Sequence, residues 1–580
     1  MKDYAFKLSD GKRAHFKLVD ASQEKDNIKA EAGKERKFRL HTEEPIRIEG
    51  KEVFIQFVYL PEKEKQDSLN KKTIEALLAE FGKKLKDFPE LFLLAPTAKN
   101  TKRTLLEKHL NSYTARFNFD FFIHKDLGGF LRRELDFYVK NEVLFVDDLD
   151  AQDETKLKSA VAKVKVIKHI AQKIIAFLAQ LEDFQKKLWL KKKFVVNCGY
   201  CVTLDRVPEA LYAGIVKNDA QREEWVKLFA IDEIQGDLTM PAYSQPLTVE
   251  FLKANPYLVL DTRHFDENFK DILLAIFDNL DEAIDGVIIN SENFQALNML
   301  RQKYLSLVED SIKSAGASSK SCLIIDFFGG SGTTAHALIN INREDPAKRK
   351  YVLVEMGEYF DTVLKPRIQK VVYSKDWKDG KPVSREGISH MFKYLSLEGY
   401  DDTLDNLVPT HNKSQQTTLE KMSKQAREDY MLSYMLDTET RASDSLLNID
   451  RLNDPFNYTL KIRRDNELKD QKVDLVETFN YLIGLYVEQV ETIRGFKVVR
   501  GKLRTGEKTL VIWRNTRDKS NEDLDDFFKK QKYNTLDFEF DLIFVNGDNN
   551  LENLKVTEDK WKVRLIEEEF KKRMFEQAGV

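Results

Sequence analysis

The chain has 580 residues, 42% of them hydrophobic and 33% charged, with 93 basic against 96 acidic side chains and a formal net charge of -3. That length holds three or four domains with sizeable cores, and the balanced charge excludes a globally basic nucleic-acid binder, so any DNA surface has to be a local patch. No apolar run approaches the ~20 residues of a membrane span, the opening MKDYAFKLSDGKR lacks the apolar core of a secretory signal, and three cysteines suit a reducing compartment; the expectation is a cytoplasmic protein with no membrane partner.

Residues 1–60 alternate short apolar pieces with polar turns, the pattern of antiparallel strands. A helical pattern follows over 71–86. Residues 117–149 mix aromatic and basic side chains, including His124, Lys125, Arg132 and Arg133; a base-stacking patch would look like this, but an ordinary helix with a Phe/Leu core face is the better reading. Apolar residues from Leu157 to Leu188 recur at steps of three and four, which predicts one long amphipathic helix over about 153–190, a spacer or a coiled-coil arm. Its end is basic (Lys186, Lys187, Lys191, Lys192, Lys193) around Trp189. That is a possible phosphate-contacting patch, although cations at a helix C-terminus also complement the dipole.

Cys198 and Cys201 form a CxxC that could be redox-active or half a zinc site. With no second CxxC and no nearby histidine pair, incidental core or loop cysteines are the better reading, and no metal is expected. Val287–Ile289 is a short β-branched strand, and Phe294, Leu297, Leu300, Tyr304, Val308 and Ile312 keep helical spacing, so one helix is predicted over about 293–315, ending at Gly316.

Residues 321–334, SCLIIDFFGGSGTT, carry the chemistry. An apolar strand ends on Asp326, a turn with Gly329, Gly330 and Gly332 follows, and a helix opens at Thr333. Such a turn lets a ligand approach the backbone, and helix donors lie beside it. A second buried strand, 351–354, ends on Glu355, where a carboxylate can accept both ribose hydroxyls. The pair suggests a nucleoside cofactor. There is no GKS or GKT for a triphosphate, and the glycine spacing is not that of a dinucleotide fingerprint.

The DFFGGSGTT turn resembles the S-adenosylmethionine (AdoMet) loop of DNA amino-methyltransferases. Together with NPYLVLDTRHFD, ENFQALNML and KRKYVLVEMGEYFDTVLKPRIQKV, it resembles the Mod subunits of type III restriction-modification systems, which are β-class adenine-N6 methyltransferases, over most of the chain. The resemblance implies that Asp326, Phe327, Phe328, Gly329, Gly330, Ser331, Gly332, Thr333 and Thr334 bind the methionine part of AdoMet. It also implies that Glu355 binds the ribose and that Glu292 or Asn293 lies near the adenine. The partners it implies are double-stranded DNA and a type III restriction subunit.

One part of the family pattern is missing. The [DNS]PP[YFW] loop that holds a flipped adenine is absent; Asn255-Pro256-Tyr257 and Asp454-Pro455-Phe456 have one proline each and lie out of family order. The family's target-recognition region is replaced by residues 301–320. No catalytic residue can therefore be carried over. With its fourth strand gone, Leu323–Asp326 is expected at a sheet edge, to be covered by another segment of the chain, a second copy in a homodimer, or a complementing methyltransferase fragment.

The C-terminal region opens with a polar connector, about 400–445. Beyond it, a helix (473–486), strands at 496–499 and 509–513, a helix (523–532) and a strand (538–545) read as a small α/β domain. The expected fold is thus α/β, with five segments. They are an α+β N-terminal domain (1–150), a helical arm and connector (151–250), a partial Rossmann-like AdoMet-dependent methyltransferase sheet (251–400), the polar connector (401–445) and a small α/β C-terminal domain (446–580). The expected function is that of an AdoMet-binding, site-specific adenine-N6 DNA methyltransferase-family protein impaired in catalysis. The alternatives are a non-catalytic assembly or DNA-binding remnant and one half of a split enzyme.

Overall fold

The computed structural model of the chain describes residues 4–8, 11–20, 35–42, 44–79, 85–96, 102–116, 124–143, 154–236, 241–314, 322–344, 349–410, 413–464, 467–557 and 560–576. It is mixed α/β and forms two compact units, one of Met1–Lys125 with Arg463–Lys469 and one of Asp126–Ile462 with Asp470–Val580.

In the first unit, strands β1 (Tyr4–Lys7), β2 (Arg13–Asp20), β3 (Glu35–Leu40), β4 (Ile46–Glu49) and β5 (Glu52–Glu62) form one sheet in the order β1-β2-β5-β3, with β4 also on β5. The strands expected over 1–60 are present, but β2 and β5 pair in parallel, which corrects the all-antiparallel expectation. Alternation of apolar residues fixes which face is buried and leaves strand direction open. Helix α1 (Gln66–Ala79) begins earlier than predicted. Its Gln66 amide bonds both the N–H and the C=O of Phe38, each at 2.9 Å, satisfying backbone groups that β5 does not reach. Helix α2 is Leu105–Arg116.

The second unit begins with α3 (Leu127–Tyr138), within the aromatic stretch read from sequence. The preceding residues 117–123 lie outside the described residues. Helix α4 (Glu154–Leu190) is the predicted long helix, 37 residues in one piece. Ala179 packs against Gly128 of α3, where a Cβ would come within 3.1 Å, so glycine permits the close crossing.

The central sheet has six strands: β6 (Val195–Thr203), β7 (Val259–Asp261), β8 (Gly286–Asn290), β9 (Leu323–Asp326), β10 (Lys350–Glu355) and β11 (Met391–Leu397), in the order β7-β6-β11-β8-β10-β9. β11, β8, β10 and β9 run parallel, β6 runs against β11, and β7 runs against β6. Among the described residues β9 pairs only with β10 and is the expected edge strand. Its four residues are half-buried, whereas Tyr351–Glu355 of β10 are buried throughout, as a strand covered on both faces should be.

Helix α5 (Asn293–Ser314) follows β8 as one uninterrupted helix, α6 (Thr333–Glu344) follows β9, and α7 (Leu364–Tyr373) follows β10. The polar stretch 400–445 holds helices Tyr400–Asp405, Lys413–Lys421, Lys424–Ser433 and Met435–Glu439, which corrects its reading as a connector. Its side chains are polar because one face of these short helices stays in water. The helix Lys424–Ser433 is tied to α4 by Lys173–Glu428 at 2.5 Å and by the Gln180 amide on the Met431 carbonyl at 3.1 Å.

The C-terminal elements are α8 (Leu475–Ile483), β12 (Leu485–Ile493), β13 (Phe496–Leu503), β14 (Lys508–Arg514), α9 (Asn521–Gln531), β15 (Leu542–Val545), β16 (Val563–Leu565) and α10 (Ile566–Phe575). The strands form a sheet in chain order, antiparallel through β14 and parallel thereafter. One apolar core runs without interruption from the central sheet into this one, through Phe479, Trp513, Phe544 and Phe570.

Candidate cofactor site at the carboxyl ends of the central strands

The parallel strands β8, β10 and β9 end side by side on Asn290, Glu355 and Asp326. In an open α/β sheet this is the end at which loops can surround a ligand. Asp326 closes the turn that follows β9. One carboxylate oxygen accepts the Phe328 N–H at 2.9 Å and the other the Thr334 hydroxyl at 2.7 Å, so the two ends of the turn are held together.

Gly330 (φ +52°) and Gly332 (φ +84°) occupy left-handed backbone. A Cβ on Gly330 would have no neighbour nearer than 3.7 Å, so the requirement there is conformational and the space above it is open. Gly329 is different: its N–H donates to Val354 at 2.9 Å, and a Cβ would press to 3.1 Å on Leu353. The turn therefore lies directly on β10. The Phe327 ring packs against the core, while the Phe328 ring is 81% exposed.

Glu355 joins the neighbouring strand to this turn. Its carboxylate accepts the Gly330 N–H at 2.8 Å and the Gly357 N–H at 2.7 Å. The Tyr359 phenol also bonds it, and partial burial followed by that carboxylate raises the phenol above its ordinary value. An ionised carboxylate offers about four acceptor positions, so these three bonds leave about one for a ligand hydroxyl.

The Glu355 carbonyl accepts the Ser291 N–H at 3.2 Å, which sets the start of α5 beside the same corner. Glu292 caps that helix, accepting the N–H groups of Phe294 (3.2 Å) and Gln295 (3.3 Å), and Asn293 is its first residue. The sequence-derived residues therefore converge: 326–334 and Glu355 share one corner, with Glu292 and Asn293 next to it. Sequence reasoning missed Arg367 of α7, whose Nη1 donates to Ser331 Oγ at 2.6 Å and Thr333 Oγ1 at 3.2 Å. Its only signal was that of one among three basic residues, with Lys365 and Lys370, on an amphipathic helix. Trp189, read from sequence only as part of a basic patch, stacks on Phe294 with ring centroids 5.7 Å apart.

The basic cluster at the end of α4 is a correction. Lys191 is buried and paired with buried Glu398 at 2.7 Å. Lys192 donates to the Arg573 carbonyl at 2.9 Å, and Lys193 donates to Thr403 at 2.8 Å and to the Leu188 carbonyl at 3.2 Å. Burial, followed by the charge of Lys191, pushes the Lys193 ammonium down to about 7. These three side chains cannot contact phosphate, because the chain turns inward after Leu190 to become β6.

Cys198 and Cys201 are free and lie three apart on β6, so they face opposite sides of the sheet. Among the described residues Glu224, Asp261 and His264 come together as carboxylates and an imidazole, but cationic side chains already answer them. Asp261 pairs with Lys365 at 2.9 Å and Arg263 at 3.2 Å and accepts the Tyr394 hydroxyl at 2.7 Å, and Arg263 also pairs with Glu224. Asn255-Pro256-Tyr257 precedes β7 at the opposite edge of the sheet from β9, and Asp454-Pro455-Phe456 enters a short turn, Pro455–Asn457, before the C-terminal sheet. Neither reaches the corner at Glu355.

Compared with known proteins, the chain matches no protein-family model and no curated protein sequence. Among the described residues no helix is long and apolar enough to cross a membrane.

Proposed function

We propose that the chain binds AdoMet at the corner made by residues 326–334 and Glu355, as a relative of type III Mod methyltransferases that does not methylate adenine by itself. The observation that carries this reading is the bond from the Gly330 N–H to Glu355. It holds a glycine turn and an acidic strand end in one preformed site, with open space above Gly330. The residues suit the cofactor: carboxylates for an ammonium and a ribose, backbone open to close approach, and exposed apolar side chains at Phe328 and Met356. The strand order β8-β10-β9 with α5 and α6 as crossovers supports half of a Rossmann-like methyltransferase sheet. Bound AdoMet would supply an electrophilic methyl group.

Transfer to adenine needs more than the methyl group. An extruded base costs a few kcal/mol in lost stacking and needs a pocket and an acceptor that orients its amine. Neither Asn255-Pro256-Tyr257 nor Asp454-Pro455-Phe456 reaches the corner. Double-stranded DNA and a restriction subunit remain partners within this proposal. The edge of β9, open among the described residues, favours a second reading, in which a complementing fragment pairs with β9 and supplies the base pocket.

The test is transfer of tritium from labelled AdoMet to mixed-sequence duplex DNA. The purified chain alone should incorporate none; turnover by the chain alone would contradict the proposal. Incorporation only after adding a DPPY-containing polypeptide would establish the split enzyme.

A further inference from the structure

Arg367 carries a charge that no carboxylate among the described residues answers. Its Nη1 reaches Ser331 Oγ (2.6 Å), Thr333 Oγ1 (3.2 Å) and the Ser331 carbonyl (3.4 Å), and its Nη2 lies 3.3 Å from His336 Nδ1. All these partners are neutral, since burial, followed by the charges of Arg367 and Arg343, lowers the His336 imidazole below its ordinary value. Other cations of this unit do meet carboxylates: buried Lys365 on the same helix pairs with Asp261 at 2.9 Å, and Arg263 pairs with both Asp261 and Glu224, although Lys193 and Arg343, like Arg367, have neutral hydrogen-bond acceptors. A guanidinium has five N–H donors in a rigid fork, and these contacts leave Nε and one Nη2 hydrogen for another acceptor. The nearby carboxylates of Asp326 and Glu355 are turned to Phe328, Thr334, Gly330 and Gly357 instead.

We propose that Arg367, with the hydroxyls of Ser331 and Thr333, forms an anion-recognition corner that receives the α-carboxylate of the ligand's amino-acid end. This rests on the AdoMet reading and extends it to a residue outside the glycine turn and the strand ends. A guanidinium fork matches a carboxylate in a bidentate geometry, and charge-assisted bonds of this kind are about twice as strong as neutral ones. A duplex phosphate has similar chemistry. The ligand's own carboxylate is favoured because the corner is built from the turn itself, one and three residues beyond Gly330.

The experiment titrates wild type, Arg367→Met and Arg367→Lys with AdoMet, S-adenosylhomocysteine and methylthioadenosine, which lacks the amino-acid end. Arg367→Met should weaken the first two by about tenfold or more and leave methylthioadenosine unchanged, and Arg367→Lys should restore part of the loss. Unchanged methylthioadenosine binding also shows that the variant is folded. Equal weakening of all three ligands, or no weakening of any, would overturn the proposal. So would loss of duplex binding with nucleoside affinities intact, which would give the corner to phosphate. If wild type binds none of the three, the AdoMet reading itself fails and this proposal falls with it.

Discussion

The carboxylate of Glu355 accepts the Gly330 N–H at 2.8 Å, so the end of β10 holds in place the turn that leaves β9. The same carboxylate reaches Gly357 at 2.7 Å, and the Glu355 carbonyl takes the Ser291 N–H at 3.2 Å. Three strand ends are thereby fixed through one residue before any ligand arrives, which lowers the ordering cost of binding.

Breaking the buried pair of Asp261 and Lys365 should be costly. Both side chains are out of solvent, and Asp261→Asn leaves Lys365 charged without a partner. The expected loss is about 3–5 kcal/mol in urea denaturation. Burial raises the Asp261 carboxyl, but Lys365, then Arg263 and the Tyr394 hydroxyl, lower it further, so its folded-state value is depressed. Its contribution is present above an unfolded value of about 3.9 and is lost as pH falls through the lower folded value. Wild-type stability should drop in that acid window, and the Asp261→Asn variant should show less of the drop.

Lys193 should act in the same sense, in a window at higher pH. Its ammonium titrates near 7 when folded and near 10.4 when unfolded, so the unfolded chain binds the extra proton between those values. Its contribution therefore becomes more favourable as pH rises from about 7 to 10. Thermal melts of wild type and Lys193→Met across that range should show the difference moving toward wild type with rising pH. A difference independent of pH would show that Lys193 is not desolvated in this way.

Self-association follows from two bare surfaces. Among the described residues β9 presents an unpaired edge. Along α4, Val166 (58% exposed), Ile170 (54%) and Ile174 (54%) recur every four residues as one apolar stripe. Light scattering at micromolar concentration should show dimers or larger species, reduced in the double variant Ile170→Glu with Ile174→Glu. A clean monomer in wild type would count against both surfaces as association sites.

Much of this architecture was legible in the sequence because it rests on local rules. The recurrence from Leu157 to Leu188 marked α4 almost to the residue. The helical spacing from Phe294 to Ile312 correctly joined the segments on either side of residue 301 into α5. Asp326, the glycines and Glu355 were readable because a strand, a turn and a helix each leave a local signature. What was missed depends on partners far along the chain. Lys191 is a core residue only because Glu398 meets it, and the strands β6 and β11 become neighbours across nearly two hundred residues. Nothing near residue 191 announces that. The role of Arg367 is of the same kind, since Ser331 and Thr333 lie more than thirty residues away.

The central claim is that the corner at Gly330 and Glu355 binds AdoMet, and calorimetric titration of the chain with AdoMet tests it most directly when run beside Gly330→Asp. An aspartate there would have to adopt a φ of +52° and would bring a second carboxylate against Glu355 and into the space left for the ligand. The account predicts weak but measurable heats of binding for wild type and none for the variant. Identical heats for the two proteins would contradict it.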